Sequence, residues 1–382
     1  MSYQSIDTIQ KALGEEVFSH TKDRKKAAGR ALGTIVELIT FYLLKTWKFE
    51  DSVSIEFALK EYGNGDIAHR VEYTMHPILR KFSYSITYKD GAISGKNVFN
   101  LLKLNNSDIE ELSSFQEKLG LKIIDKNYNI RNCCTIAVSK KQHINCIVKS
   151  FADGKLVVDV LLHSSSPYSM FECKRVGVED GNKKGPQTIE KAKQGAYVAR
   201  TASSLQRLIK PNGELYGVVY KPNDSNPIIK PYYELLNDII NSADKELLSD
   251  FILTVGIISN HGNWFTAENQ NKELKVLAKS YNWLLFLTDN GLSRFIEETI
   301  LHPSDERYTP IRKAFLDSYS EGKKENIFTK VKIDINADHA MQLYFRENID
   351  EIEKWFNIIE PQQKTINDLK SDLLKIKKKI SI

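Results

Sequence analysis

The spacing of apolar positions changes character several times along the chain. Residues 5 to 48 carry apolar side chains at helical intervals, with the basic stretch "TKDRKKAAGR" running into "ALGTIVELITFYLLKTW", and predict helix. From 52 to 104 the texture turns to β-branched and aromatic alternation, as in "RVEYTMHPILRKFSYSITYKDGAIS", with Asp90-Gly91 as a hairpin signal. A short helix is expected over 107–120. Three strands are then expected at 143–151, 155–163 and 168–176, joined by "ADG" and "SSSP". Both joints are turn chemistry, so the three predict an antiparallel meander. A loop "GVEDGNKKG" leads to a helix over 187–209, opened by Gly185-Pro186. Beyond it, strand "LYGVVY", a helix at 232–248, strand "FILTVGIIS", a helix at 268–281, strand "WLLFLTD" and a helix at 291–300 alternate. That alternation predicts a sheet covered by helices.

The fold class expected is α/β (α+β): a central mixed β-sheet flanked by helices over 143–300, with an N-terminal helical and β-rich part at 1–142 and a helical region at 301–382. In the last of these, Ile366, Leu369, Leu373, Ile376 and Ile380 form a heptad seam about two heptads long. Packing on the body of its own chain and contact with a second copy both remain open for it.

Composition narrows this only a little. With 382 residues, 41% hydrophobic and 27% charged, the chain has the balance of a soluble globular protein. The longest apolar run is broken by Glu37 and Lys45, and the N-terminus lacks the basic-then-apolar pattern of a secretory signal, so a cytoplasmic location is expected. Cys133, Cys134, Cys146 and Cys173 lack metal-site or disulfide spacing and read as small buried hydrophobes. A net charge of +5 is weak support for a nucleic-acid partner.

Strand parity is more informative. In 155–163, Leu156, Val158, Val160 and Leu162 share one face while Asp159 lies on the other; in "YSMFECKRV", Phe171 and Cys173 share a face opposite Glu172 and Lys174. If the apolar faces of the meander coincide, Asp159, Glu172 and Lys174 converge. Two carboxylates and a lysine at one spot are what metal-dependent phosphodiester hydrolysis requires, the acids as hard oxygen ligands for Mg²⁺ and the ammonium to orient water and share developing charge. Acid, any residue, lysine also occurs at Asp23-Lys25, Asp153-Lys155, Glu273-Lys275, Glu321-Lys323 and Asp368-Lys370, but only Glu172-Lys174 sits in an apolar strand that follows another apolar strand bearing an acid. The plain alternative is an exposed cross-strand salt bridge between Lys174 and Asp159.

In this arrangement the chain resembles the PD-(D/E)xK nuclease superfamily, and within it the type II restriction endonucleases. Asp159 matches the first acid, Glu172 the second and Lys174 the lysine; Val158 stands where the motif's namesake proline would. The resemblance implies a restriction-endonuclease-like core, catalytic Asp159, Glu172 and Lys174, a Mg²⁺ ion held by Asp159, Glu172 and the backbone carbonyl of Cys173, and a further acidic ligand, Glu37, from a preceding helix. Lys183, Lys184, Gln187 and Lys191, around the start of the helix after the motif, are candidates for holding DNA phosphate. The activity implied is site-specific cleavage of double-stranded DNA by a homodimer, with a DNA methyltransferase as a companion and base recognition in the β-rich 52–145 region. A structure-selective repair or recombination nuclease of the same superfamily, and a non-catalytic DNA-binding protein, are the alternatives.

Overall fold

The computed structural model describes residues 6–61, 64–88, 91–106, 110–118, 120–176, 187–221, 224–260, 267–268, 272–323 and 325–380. The N-terminal helical stretch is two helices, Ile6–Glu16 and Arg24–Thr46 (α1), and the second begins where the Asp23 side chain accepts from the backbone N–H of Lys26. From Leu38 to Leu44 every residue of α1 is buried, so this is an interior helix. Among the described residues α1 alone is long and apolar enough to cross a membrane, and about two thirds of its most apolar stretch is buried inside this fold.

The architecture is mixed α+β, a central mixed sheet flanked by helices. Its strands in chain order are β1 (Val53–Ile55), β2 (Tyr73–Met75), β3 (Ser169–Val176), β4 (Leu253–Asn260), β5 (Trp283–Leu287) and β6 (Phe356–Glu360), and they lie side by side in that order. β1, β2 and β3 are antiparallel neighbours, β3, β4 and β5 run parallel, and β6 closes the edge antiparallel. Helix α1 packs on β3, as does α2 (Gln187–Ala202). The sheet thus draws strands from all three segments of the chain.

Between β2 and β3 the chain builds a separate antiparallel sheet in the order Ile78–Thr87, Lys155–Ser164, Gln142–Ala152, Cys134–Val138, Gln116–Glu117. Its central hairpin turns at Asp153-Gly154, both with positive φ (50° and 68°), the geometry of a two-residue turn. The expected meander therefore holds for two strands and fails for the third: the 169–176 strand leaves this sheet and pairs with β2 and β4. The hairpin expected at Asp90-Gly91 is also replaced by a long-range pairing. Strand Ile78–Thr87 joins Lys155–Ser164 instead, and Asp90 lies outside the described residues. Within 107–120 the described residues form a 3₁₀ turn, Glu110–Ser114, and a short strand in place of the expected helix. The C-terminal helix, Ile366–Ile380, buries Ile366, Leu369, Leu373 and Ile376 and packs on its own chain, against the Tyr232–Asn241 helix. The four cysteines are buried and unbridged.

Candidate active site

Glu172 and Lys174 stand on one face of β3, and Lys174 Nζ lies 2.9 Å from Glu172 Oε1. Cys173, with opposite parity, turns its thiol to Thr40 Oγ1 of α1 at 3.4 Å, and burial pushes that thiol pKa up. In the β2–β3 ladder Tyr73 pairs with Phe171, so one step further along the same register sets Glu72 opposite Glu172. Glu72 Oε1 is 3.5 Å from Lys174 Nζ, and its other oxygen is 3.1 Å from Lys330 Nζ. Lys330 also reaches Glu37 of α1 at 3.1 Å and Glu56 at 3.5 Å. The Tyr73 hydroxyl donates to the Glu37 carbonyl at 2.7 Å and ties α1 to β2. His69 Nε2 lies 3.4 Å from Glu172 Oε1.

Asp159 lies elsewhere. Its strand belongs to the inserted sheet, where it sits opposite Ser83; Oδ1 accepts from the Ser83 hydroxyl at 2.6 Å and Oδ2 is 2.8 Å from Lys81 Nζ. Lys81 also pairs with Asp51 at 2.8 Å. A cross-strand ion pair does form at Asp159, with Lys81 and not with Lys174. Convergence of Asp159 with Glu172 requires adjacent strands, and these two are in different sheets. The position expected of Asp159, facing Glu172 from the neighbouring antiparallel strand, is held by Glu72. The signal for it is present in "HRVEYTM", an acid between Val71 and Tyr73 in a β-prone run, the same texture that singles out Glu172.

Comparison with protein-family models, with curated proteins and with solved structures found no match.

Glu172 is only 1% exposed and Glu72 7%, so the electrostatics here are those of a low-dielectric site. Burial alone would raise the Glu172 pKa, but the bond to His69 and the charge of Lys174 outweigh it, and the carboxyl is held below its ordinary range. Glu37 goes the other way: burial raises it, with Glu72 adding to the rise, and Lys330 offsets only part. Burial would lower Lys174, yet Glu172 and Glu72 raise it, so it is an ammonium at neutral pH, a hydrogen-bond donor and not a base. Lys330 is raised in the same way by Glu37, Glu72 and Glu56.

One atom does not balance. Among the described residues Glu172 Oε2 has no hydrogen-bond partner although it is sealed from solvent. An ionised oxygen left in that state costs roughly 1–3 kcal/mol or more. Helix α2 contributes to sealing it: a Cβ on Gly195 would lie 2.4 Å from Glu172 Cγ, so only glycine lets the helix pass this close. A hard divalent cation is a partner that an unpaired carboxylate oxygen suits, and Glu72 is the acid that shares Lys174 with Glu172. Among the described residues, however, no group of three carboxylate, imidazole or thiol side chains is placed to hold a metal ion; the acids gather instead on the ammonium groups of Lys174 and Lys330.

Of the DNA-phosphate candidates, Lys183 and Lys184 lie outside the described residues, as do the side chains of Gln187 and Lys191 in the first turns of α2.

Proposed function

We propose that the chain is a Mg²⁺-dependent nuclease with a restriction-endonuclease-like core of the PD-(D/E)xK type, hydrolysing phosphodiesters of double-stranded DNA, with Glu72 in place of Asp159 as the first acid. The observation that carries this is the pairing of Glu72 and Glu172 across antiparallel strands, both in contact with Lys174, with a partnerless, buried oxygen on Glu172. Glu72, Glu172 and the Cys173 carbonyl would hold the metal ion, with Glu37 close by. When bound, the ion supplies Lewis-acid polarisation of a phosphate oxygen and a more acidic water. Lys174, fixed as a cation between two acids, would donate hydrogen bonds to the attacking water and to the phosphoryl oxygens on which charge grows. His69 keeps Glu172 ionised, and Gly195 with α2 keeps bulk water from its far oxygen.

Restriction-type specificity is the favoured form of this activity. The chain between β2 and β3 builds a whole antiparallel sheet beside the two acid-bearing strands, a platform on which groove-reading side chains would be held close to the scissile bond. A homodimer would place two such sites, one for each strand, and a partner methyltransferase would protect host DNA.

The test is cleavage of linear phage DNA in Mg²⁺. Glu72→Gln, Glu172→Gln and Lys174→Ala should each lose roughly 100-fold or more in rate, while Asp159→Asn should stay within a few-fold of wild type. Discrete fragments mark sequence specificity, and a smear or a preference for junctions marks the repair form of the same chemistry. Wild-type protein that does not cut DNA in Mg²⁺, or a Glu172→Gln protein that cuts at the wild-type rate, overturns the proposal.

A further inference from the structure

Directly after α2 the chain folds a small antiparallel sheet in the order Gln206–Ile209, Leu215–Val219, Ile228–Pro231. Residues opposite one another across its ladders share a face. The face of Gly217 turns to the Tyr232–Asn241 helix, where a Cβ on Gly217 would meet Leu235 at 2.9 Å. The other face carries Leu208, Tyr216, Val218 and Ile229, and Leu208 and Ile229 are 45% and 51% exposed.

The two edges of this sheet differ. The Lys210 N–H donates to the Glu214 carbonyl at 2.9 Å, which extends the first ladder by one bonded pair. By alternation Gln206 and Leu208 point their backbone groups inward, and Arg207 and Ile209 point theirs out. Among the described residues these outward N–H and C=O groups have no partner. At the opposite edge the outward positions are Ile229 and Pro231, with Lys230 between them, and proline has no N–H to offer. Lysine and proline are how edges are ordinarily blunted. The Gln206–Ile209 edge lacks this protection, because its one charge is drawn inward: the Arg207 guanidinium donates to the carbonyls of Ala278 and Tyr281 and stacks on the Tyr232 ring.

An open edge is completed by another extended strand. We propose that its occupant is the same strand of a second copy, paired antiparallel about a two-fold axis at Leu208. Arg207 of each copy then faces Ile209 of the other, and each facing pair exchanges both of its N–H···O bonds. The neighbouring registers are poorer. An axis at Ile209 faces Arg207 with Pro211, which has no N–H, and an axis at Arg207 calls on the Leu205 N–H, which already donates to the Ser203 hydroxyl at 3.3 Å. The axis at Leu208 also brings the two Leu208 side chains together on the exposed face. On the opposite face it sets the second copy's Ile209 beside Arg207, against a cavity of about 300 Å³ lined by Ala199, Leu205, Arg207 and Ile209. The contact is small, so the dimer is reversible, forming in the micromolar range. The proposal rests on this edge and not on the metal or nuclease reading.

Sedimentation of the full, DNA-free chain from micromolar to sub-millimolar concentration reads the association, and wild type should pass from monomer to dimer. Leu208→Lys sets two ammonium groups directly opposite each other and should weaken the dimer roughly 10-fold or more. Leu208→Glu should do the same, and an equal mixture of the two should regain the dimer. Ile209→Pro removes an outward N–H, leaves the inner ladder whole, and should be monomeric. Wild type that stays monomeric throughout overturns the proposal. So does a folded Leu208→Lys or Ile209→Pro chain that associates like wild type, or a mixture of the two charged variants that stays monomeric. If one of Leu208→Lys and Ile209→Pro does not fold, the other is read in its place.

Discussion

At the scale of single residues, the site depends on what is missing as much as on what is present. Gly195 is the clearest case, since a methyl group there would overlap Glu172. Gly195→Ala should destabilise the fold by about 1–3 kcal/mol through overpacking and impair cleavage, because either α2 or the carboxylate has to move. Gly33, in the interior of α1, is the matched control, because a Cβ added there would meet nothing within 4 Å. Gly33→Ala should stabilise by up to about 1 kcal/mol from helix propensity and leave cleavage untouched. Thermal melts read both, and a Gly195→Ala protein as stable and active as Gly33→Ala would refute the close-packing argument. Residues also differ in how legible they are. Glu172 and Lys174 can be found because charges inside an apolar strand are anomalous, and Glu72 carries the same anomaly. Lys330, in "FTKVKID", carries no such mark; its role comes from tertiary placement, and local sequence has no term for that.

At the scale of elements, period and turn chemistry identify strands well and pairing poorly. The hairpin around Asp153-Gly154 is legible because two residues with positive φ join its arms directly. For the next strand, only proximity in sequence argues for the same sheet. Instead Ser169–Val176 finds its antiparallel partner in β2, a long excursion away, and its parallel partner in β4. Nothing in a strand's own residues encodes which distant edge it joins, so parity gives Asp159 a face but not a sheet. The C-terminal seam has two readings for a similar reason, since a heptad stripe states that something apolar covers it and not what. Here it lies on its own chain, and Leu373 is fully buried in that contact. Leu373→Ala should cost about 2–5 kcal/mol in urea unfolding. The loss should not depend on protein concentration, and a concentration-dependent loss would instead point to a contact between copies.

At the scale of the whole molecule, the central and inserted sheets are joined through three buried histidines. His143 Nε2 is 2.8 Å from the Ser54 hydroxyl of β1, His163 Nε2 2.8 Å from the Asp51 carbonyl, and His76 Nε2 2.7 Å from the Thr74 hydroxyl of β2. The rings pack on one another with centroids 4.5 to 6.0 Å apart. Burial, reinforced for His76 and His143 by the neighbouring rings, lowers both pKa values well below 6.5, and burial brings His163 down to about 4. A histidine with a depressed folded pKa binds fewer protons folded than unfolded. Its stabilisation is complete above pH 6.5 and drains away as pH falls toward the folded value. For His163 alone the loss between pH 7.5 and 5 is about 2 kcal/mol. Glu172 and Asp51, whose pKa values are lowered, lose their contributions at more acid pH than this window, and Glu37, Glu360 and Asp372, raised by burial, act in the opposite sense. The decisive quantity is therefore a difference of differences. The unfolding free energy of wild type, read by urea titration, should fall from pH 7.5 to 5, and that of His163→Gln, whose glutamine titrates in neither state, should fall by about 2 kcal/mol less. Equal losses in the two proteins would mean that His163 is not kept neutral by the joint between the sheets.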